Sequence, residues 1–184
     1  MVDQKYFFTQ FRYDALQRAK EKQKLMLDSE KTKKTSLNLY ERPYLGTVGA
    51  IALDKNGNLA AATSTGGMTN KMTGRIGDSP IIGSGTYADN DSVAVSCTGT
   101  GDIYMRVNAA HEVSALYKYK TSDVQKAAEE AVKEVAALGG SGGIISIDKF
   151  GKTGFAWTKD KLGMYHGEAR LGAKPVVYWP LGEK

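Results

Sequence analysis

Residues 46–64 read GTVGAIALDKNGNLAAATS, and the fold class turns on how this stretch divides. Thr47 to Leu53 is a mostly apolar run of strand length, Asp54-Lys55-Asn56-Gly57-Asn58 carries turn chemistry, and Leu59 to Ser64 is a second short run. Asn and Gly tolerate the backbone angles of a tight turn, so the stretch predicts a β-hairpin. Apolar residues on both alternations predict burial of both its faces. The same arrangement returns as Gly143 to Ile147, a turn at Asp148 to Lys152, and Thr153 to Thr158. Between the two hairpins, Ser92 to Cys97 reads as a further strand. It is followed by a helix from about Ile103 to Tyr119 and a second helix, announced by the cap cluster Thr121-Ser122-Asp123, to about Leu138. The second helix carries Val124, Ala127, Ala128, Ala131, Val132, Val135 and Ala136 on one side. Strands, then a helix pair, then strands predict an α+β layered domain with antiparallel sheets. Gly139-Gly140-Ser141-Gly142-Gly143 then reads as a helix stop and a tight entry to the sheet.

Upstream of Gly46 the composition differs. Phe8, Phe11, Leu16, Ala19 and Leu25 recur at roughly helical spacing and predict a helix over 7–26. Residues 27–45 are poor in large apolar side chains, hold like charges and a proline, and read as a flexible linker. The net charge of +5 belongs mostly to this part: residues 1–46 hold 10 Lys and Arg against 6 Asp and Glu, leaving 15 against 14 for the rest. A nearly neutral body has no broad phosphate-binding footprint, so nucleic acid is not an expected partner.

At 184 residues the chain fits one domain with a core large enough to need no disulfide or metal. No apolar run approaches the ~18–20 residues that span a bilayer, and the first thirty residues mix charge with aromatics rather than forming a secretory apolar segment. With its single cysteine, Cys97, the chain reads as cytoplasmic.

Three segments concentrate glycine and hydroxyl groups at strand ends: Gly46-Thr47-Val48-Gly49, Thr63-Ser64-Thr65-Gly66-Gly67 and Ser96-Cys97-Thr98-Gly99-Thr100-Gly101. Good turn chemistry explains any one of them. A phosphate loop does not fit, because the P-loop pattern is absent and G-x-G-x-x-G opens neither helix. His111 and His166 are 55 residues apart, too isolated for a metal site, and the G-x-S-x-G spelled by Gly139 to Gly143 follows a helix and precedes a strand, the reverse of the strand-to-helix elbow of a serine triad. In Gly74-Arg75-Ile76-Gly77-Asp78 a cation and an anion lie three apart. The pair could grip the carboxylate and ammonium of an amino-acid-like ligand, or be a surface ion pair worth at most ~1 kcal/mol.

These segments, in order and at the expected spacing, resemble the plant-type L-asparaginase and isoaspartyl aminopeptidase family. The likeness runs through Gly46 to Asp54, Ala62 to Gly67, Asn70-Lys71, Gly74 to Pro80, Gly83 to Ala88, Ser96 to Gly101, the 139–143 glycines and Gly163-Met164-Tyr165. It implies an N-terminal-nucleophile (Ntn) hydrolase, a four-layer αββα sandwich whose precursor cuts itself between Gly46 and Thr47. Residues 1–46 would then be the end of the α-part and 47–184 the β-subunit. Thr47 would be nucleophile and, through its freed α-amine, base. Thr65 would hydrogen-bond it, Thr98 and Gly99 would donate to the oxyanion, and Arg75, Asp78 and Gly101 would bind substrate. Implied substrates are L-asparagine and β-aspartyl dipeptides, without an organic cofactor. Processed subunits would pair as an (αβ)2 heterotetramer, and a structural sodium would sit in the α-part. The first strands of the α-part are expected to be missing from this chain. Two alternatives stand beside this reading: a truncated, non-processing homologue acting as a binding fragment, and a glycosylasparaginase.

Overall fold

The computed structural model describes residues 3–32, 46–159 and 163–178. The chain divides into two units, Met1–Gly46 with Gly67–Arg75, and Thr47–Gly66 with Ile76–Lys184.

In the first unit Thr9 caps a helix: its hydroxyl accepts from the Arg12 N–H at 3.3 Å and its carbonyl from Tyr13 N–H at 3.0 Å. Helix α1 therefore spans Gln10–Thr32, after a 3₁₀ turn at Gln4–Phe7 and an extended Phe8. This corrects the expected span of 7–26 at both ends. The first six residues assigned to a linker are helical, because no Gly or Pro interrupts a run rich in Lys, Glu, Gln and Leu. The rest of the expected linker, 33–45, lies outside the described residues. Of the expected apolar stripe, Phe8, Phe11 and Leu25 are exposed while Leu16 and Ala19 are half-buried. Asn70 Nδ2 donates to Gln23 Oε1 at 2.8 Å, tying the 67–75 segment to α1.

The second unit begins with the hairpin of strands β1 (Val48–Leu53) and β2 (Leu59–Ser64), paired antiparallel from Val48 opposite Ser64 to Leu53 opposite Leu59. Its turn is organised by one carboxylate oxygen, Asp54 Oδ1, which accepts from the N–H groups of Asn56 and Asn58 at 2.8 Å each. Strands β3 (Thr86–Ala88), β4 (Val93–Gly99), β5 (Gly142–Asp148) and β6 (Thr153–Trp157) form an antiparallel sheet in that order. The expected second hairpin is β5–β6. Strands β3 and the separate pair β7 (His166–Glu168) and β8 (Val176–Tyr178) were not expected; at three residues each they are too short to show a period.

Four-layer architecture aside, the unit is mixed helix and antiparallel sheet, the α+β class expected. The single helix expected from about Ile103 to Tyr119 is instead α2 (Gly101–Val107), α3 (Ala109–Leu116) and a π-helical turn at Tyr117–Thr121. Asn108 makes the break in the left-handed conformation, φ 55° and ψ 48°, which a short amide side chain tolerates. The freed N–H groups of Ala110 and His111 donate to the Ser84 and Gly83 carbonyls at 3.2 and 2.8 Å. Helix α4 (Val124–Ala137) starts as expected at Asp123, whose carboxylate accepts from Gln125 N–H at 3.0 Å and Lys126 N–H at 3.2 Å. Its buried face matches the expected one except that Ala136 is exposed.

β4 is buried on both faces, and its two alternations meet different neighbours. Val93, Val95 and Cys97 join the core with Val113 of α3, Val124, Ala128 and Val135 of α4, and Ile144 of β5. Truncating the fully buried Ile144 to Ala would cost about 2–5 kcal/mol. Ala94 and Ser96 face the other way, toward the β1–β2 hairpin. There a side chain at Gly49 has no room, since a Cβ would lie 2.8 Å from Ser96 Cβ. Helices, four-stranded sheet and hairpin are thus three successive layers.

The hairpin departs from expectation on its outer side. Val48, Ala50, Ala52, Ala60, Ala62 and Ser64 are exposed among the described residues, so one face is covered and not two. Alanine hides the alternation: it counts as apolar in the sequence yet is small enough to sit outside.

Candidate active site

The hairpin register carries one step past its last pair, Val48 with Ser64, and sets Thr47 opposite Thr65. Thr47 Oγ1 donates to Thr65 Oγ1 at 3.1 Å. Thr47 is half-buried and Thr65 exposed. The structure therefore brings together the two threonines expected to work as a pair.

β2 and β4 run in the same direction. Leu59 N–H donates to Asn90 Oδ1 at 2.7 Å near the start of both, and Thr63 Oγ1 lies 2.7 Å from Ser96 Oγ further along. Two residues onward on each strand come Thr65 and Thr98, so the threonine pair lies at the Thr98–Gly99 end of β4. Thr98 Oγ1 is shut away from solvent with no hydrogen-bond partner among the described residues. Leaving a buried hydroxyl unpaired costs about 1–3 kcal/mol, so this group is held where packing does not reward it. Gly99 stands opposite Gly142 with φ 151°, and a Cβ on it would lie 2.6 Å from the Tyr104 ring. The turn that follows is anchored from both sides: Thr100 N–H donates to the Ser141 carbonyl at 2.8 Å and Ser141 N–H to Thr100 Oγ1 at 3.1 Å. Gly101, buried, opens α2.

Asp78 is buried and follows in the same unit, where it opens a turn in which its carbonyl accepts from Ile81 N–H at 2.9 Å. Burial first, and the Asp78 charge second, push the Cys97 thiol well above its ordinary range. A thiol so held is a packing group and not a nucleophile. Arg75 is half-buried and closes the first unit, its own N–H bonded to the Met72 carbonyl at 3.1 Å. Gly46, also in the first unit, is exposed.

Both histidines pack against aromatic rings. His111 meets Tyr87 edge-on at 5.3 Å, and His166 stacks on Tyr178 at 4.8 Å with Nδ1 2.7 Å from the Met164 carbonyl. Among the described residues no three His, Cys, Asp or Glu side chains gather as a metal site would require. None of the described residues is assigned to the sodium implied for the α-part. No helix among them is long and apolar enough to cross a membrane.

The asparaginase family (Asparaginase_2) matches residues 1–174. This chain belongs to that family. It is 46% identical over 177 residues to the isoaspartyl peptidase of Escherichia coli K12, a match that covers 96% of this chain and 53% of that protein. Against the isoaspartyl peptidase of Salmonella typhimurium it is 46% identical over 172 residues, 93% of this chain and 53% of the relative. Against the isoaspartyl peptidase/L-asparaginase of Homo sapiens it is 42% identical over 143 residues, covering 77% and 46%. The chain spans about half the length of the curated relatives it matches.

Sequence reasoning gave no role to Thr63 or Ser96. Their signal was present in the hydroxyl-rich segments at the ends of β2 and β4, but only the stacking of hairpin on sheet shows that they meet.

Proposed function

We propose that this chain is the catalytic portion of an autoprocessing N-terminal-threonine amidohydrolase acting on L-asparagine and β-aspartyl dipeptides. The bond from Thr47 Oγ1 to Thr65 Oγ1 carries the reading. Two threonines placed at a strand end by register, with their hydroxyls in contact, are the arrangement a threonine nucleophile and its orienting partner need. Family membership and the relatives' names support the substrate class.

In the first step the Thr47 hydroxyl attacks the Gly46 carbonyl carbon, the Gly46–Thr47 C–N bond breaks, and the acyl group moves to Thr47 oxygen as an ester. Water hydrolyses that ester, leaving residues 1–46 with a carboxylate end and Thr47 with a free α-amine. With a pKa of ~7.7–8.0 the amine accepts the hydroxyl proton in each later turnover, which the amide nitrogen of the uncut chain cannot do. The hydroxyl oxygen then attacks the side-chain amide carbonyl of substrate, and ammonia or an amino acid leaves with the returned proton. Water hydrolyses the β-aspartyl ester that remains. Nucleophile and base sit on one residue, so the reaction asks for no organic cofactor.

Thr98 and Gly99 would stabilise the tetrahedral oxyanion, and the unpaired, desolvated Thr98 hydroxyl supports that role. Arg75 would take the substrate α-carboxylate through its planar fork, Asp78 the α-ammonium, and the Gly101 carbonyl would line the same pocket. The helix, sheet and hairpin layers would be three of the four layers of an αββα Ntn sandwich, and the bare outer face of β1–β2 is where an α-part would pack. On this reading processed subunits assemble as an (αβ)2 heterotetramer, in the cytoplasm, where the lone cysteine stays reduced. Intact mass and N-terminal sequencing of the purified chain, followed by ammonia release from L-asparagine, test the reading. A fragment beginning Thr-Val-Gly-Ala is expected, and an uncut, inactive chain would overturn it.

A further inference from the structure

Thr63 lies two residues before Thr65 on the covered face of the hairpin, and it bonds to two different parts of the sheet layer. Its Oγ1 donates to the Gly85 carbonyl at 3.1 Å and lies 2.7 Å from Ser96 Oγ. A hydroxyl has one hydrogen, so if Thr63 gives its own to Gly85 it must accept from Ser96. The reverse choice would leave the hydrogen of Ser96, a residue only 4% exposed, without an acceptor among the described residues. The order is therefore Ser96 to Thr63 to the Gly85 carbonyl.

That carbonyl is a junction. It also accepts from Cys97 N–H at 2.9 Å, while Gly85 N–H donates to the Ile81 carbonyl at 3.2 Å and Ile81 N–H to the Asp78 carbonyl at 2.9 Å. One continuous hydrogen-bonded path thus joins β2, which leads into Thr65, β4, which holds Thr98, and the turn that presents Asp78. Close approach at Gly49, which sits opposite Thr63 in the hairpin register, brings β1 against the same Ser96. Gly49 has no side chain, and Ile145 Cδ1 of β5 comes to 3.7 Å from where its Cβ would lie, so the Ser96–Thr63 contact is a polar bond set beside apolar packing between the layers.

Resting on the function proposed above, we infer that Ser96 and Thr63 are positioning residues: a half-buried hydroxyl clamp that sets the distance between the Thr47–Thr65 pair and the Thr98–Gly99 end of β4. Neither touches substrate. They act by holding the nucleophile at the depth where its oxygen meets a carbonyl bound between the layers. A displacement of about 1 Å in such a geometry costs on the order of 100-fold in rate.

The test compares the unmodified chain with Thr63→Val, Thr63→Ser and Ser96→Ala. Cleavage at Gly46–Thr47 is followed by intact mass, kcat and KM by ammonia release from L-asparagine, and folding by thermal midpoint. Thr63→Val keeps the shape and loses the hydroxyl; it should slow both cleavage and kcat by roughly 10–100-fold with KM within about twofold. Thr63→Ser restores the hydroxyl and should recover most of both rates. The inference is overturned if Thr63→Val keeps both rates within about twofold, or if Thr63→Ser is as slow as Thr63→Val, because the methyl and not the hydroxyl would then matter. Should Thr63→Val not fold, Ser96→Ala is judged by the same limits. An unmodified chain that neither cuts nor hydrolyses removes the functional reading and the clamp together, whereas an active chain with indifferent variants removes the clamp alone.

Discussion

Thr47 and Thr65 face each other one step beyond the last paired residues of the β1–β2 hairpin, hydroxyl to hydroxyl at 3.1 Å. The contact follows from register, so any change that slipped one strand of the hairpin by one residue would turn one of the two side chains to the opposite face and separate the pair. In this bond Thr47 Oγ1 is the donor and Thr65 Oγ1 the acceptor, the direction the function proposed above asks of the pair.

Thr47→Ala should give a chain that stays at full mass and releases no ammonia. Thr65→Val removes the hydroxyl that accepts from Thr47, a bond worth about 0.5–1.5 kcal/mol net, and should slow hydrolysis by roughly 2–10-fold while leaving cleavage detectable. Intact mass against time, with an ammonia assay on the same samples, separates the two variants.

The pH dependence of hydrolysis should reflect the Thr47 α-amine. Protonated, the amine cannot accept the hydroxyl hydrogen, so kcat/KM should rise with pH through ~7.7–8.0 and then level. A profile flat from pH 6 to 9 would point to a base on another residue.

Asp78→Asn keeps the shape of the side chain and removes its charge. If Asp78 holds the substrate ammonium, KM for L-asparagine should rise about tenfold or more, with a smaller effect on kcat. Steady-state kinetics of the processed protein decide this.

Asp89 and Asp123 should make the fold sensitive to acid. A hydrogen bond from Lys118 Nζ holds the Asp89 carboxyl below its ordinary range, and one from Lys152 Nζ does the same for Asp123, each reinforced by backbone N–H groups. Carboxyls depressed in the folded state favour folding above their unfolded values of ~3.9, and that contribution is lost as pH falls through the folded values. Denaturant midpoints should therefore drop below pH 4. Asp89→Asn should flatten the drop.

Cys97 should behave as a core residue. Its buried thiol, raised by desolvation, is expected to ignore a small aromatic disulfide at pH 8 and to react fully once the chain is denatured. Rapid labelling of the native protein would contradict the packing of β4 against α3 and α4.

Much of this molecule was legible in the sequence where a local rule acts alone. Asp54 to Asn58 announces the turn it makes, Asp123 caps the helix it precedes, and the α4 stripe faces the core almost as its spacing says. The failures are places where tertiary contact outweighs pattern. Asn108 breaks an otherwise continuous helical period because the Gly83 and Ser84 carbonyls are there to take the N–H groups of α3. The hairpin looked buried on both sides because alanine is apolar wherever it points. For the site, Thr47, Thr65, Thr98 and Gly99 came from family likeness, and the structure shows how strand direction gathers them at one end. Thr63 and Ser96 could not be paired from sequence, being 33 residues apart on different layers.

The double burial of β4 sets a hierarchy of timescales across the site. Its amide hydrogens lie between the helices and the hairpin, so those at Val93 and Val95 should exchange with solvent only when the whole unit opens. The hairpin has one face in water and ends at the threonine pair, and its amides can exchange through local fraying. Half of the candidate site is thus as slow as global unfolding. Thr47, the proposed nucleophile, stands on the fast half, so its departure from place needs far less free energy than the loss of the β4 frame opposite it.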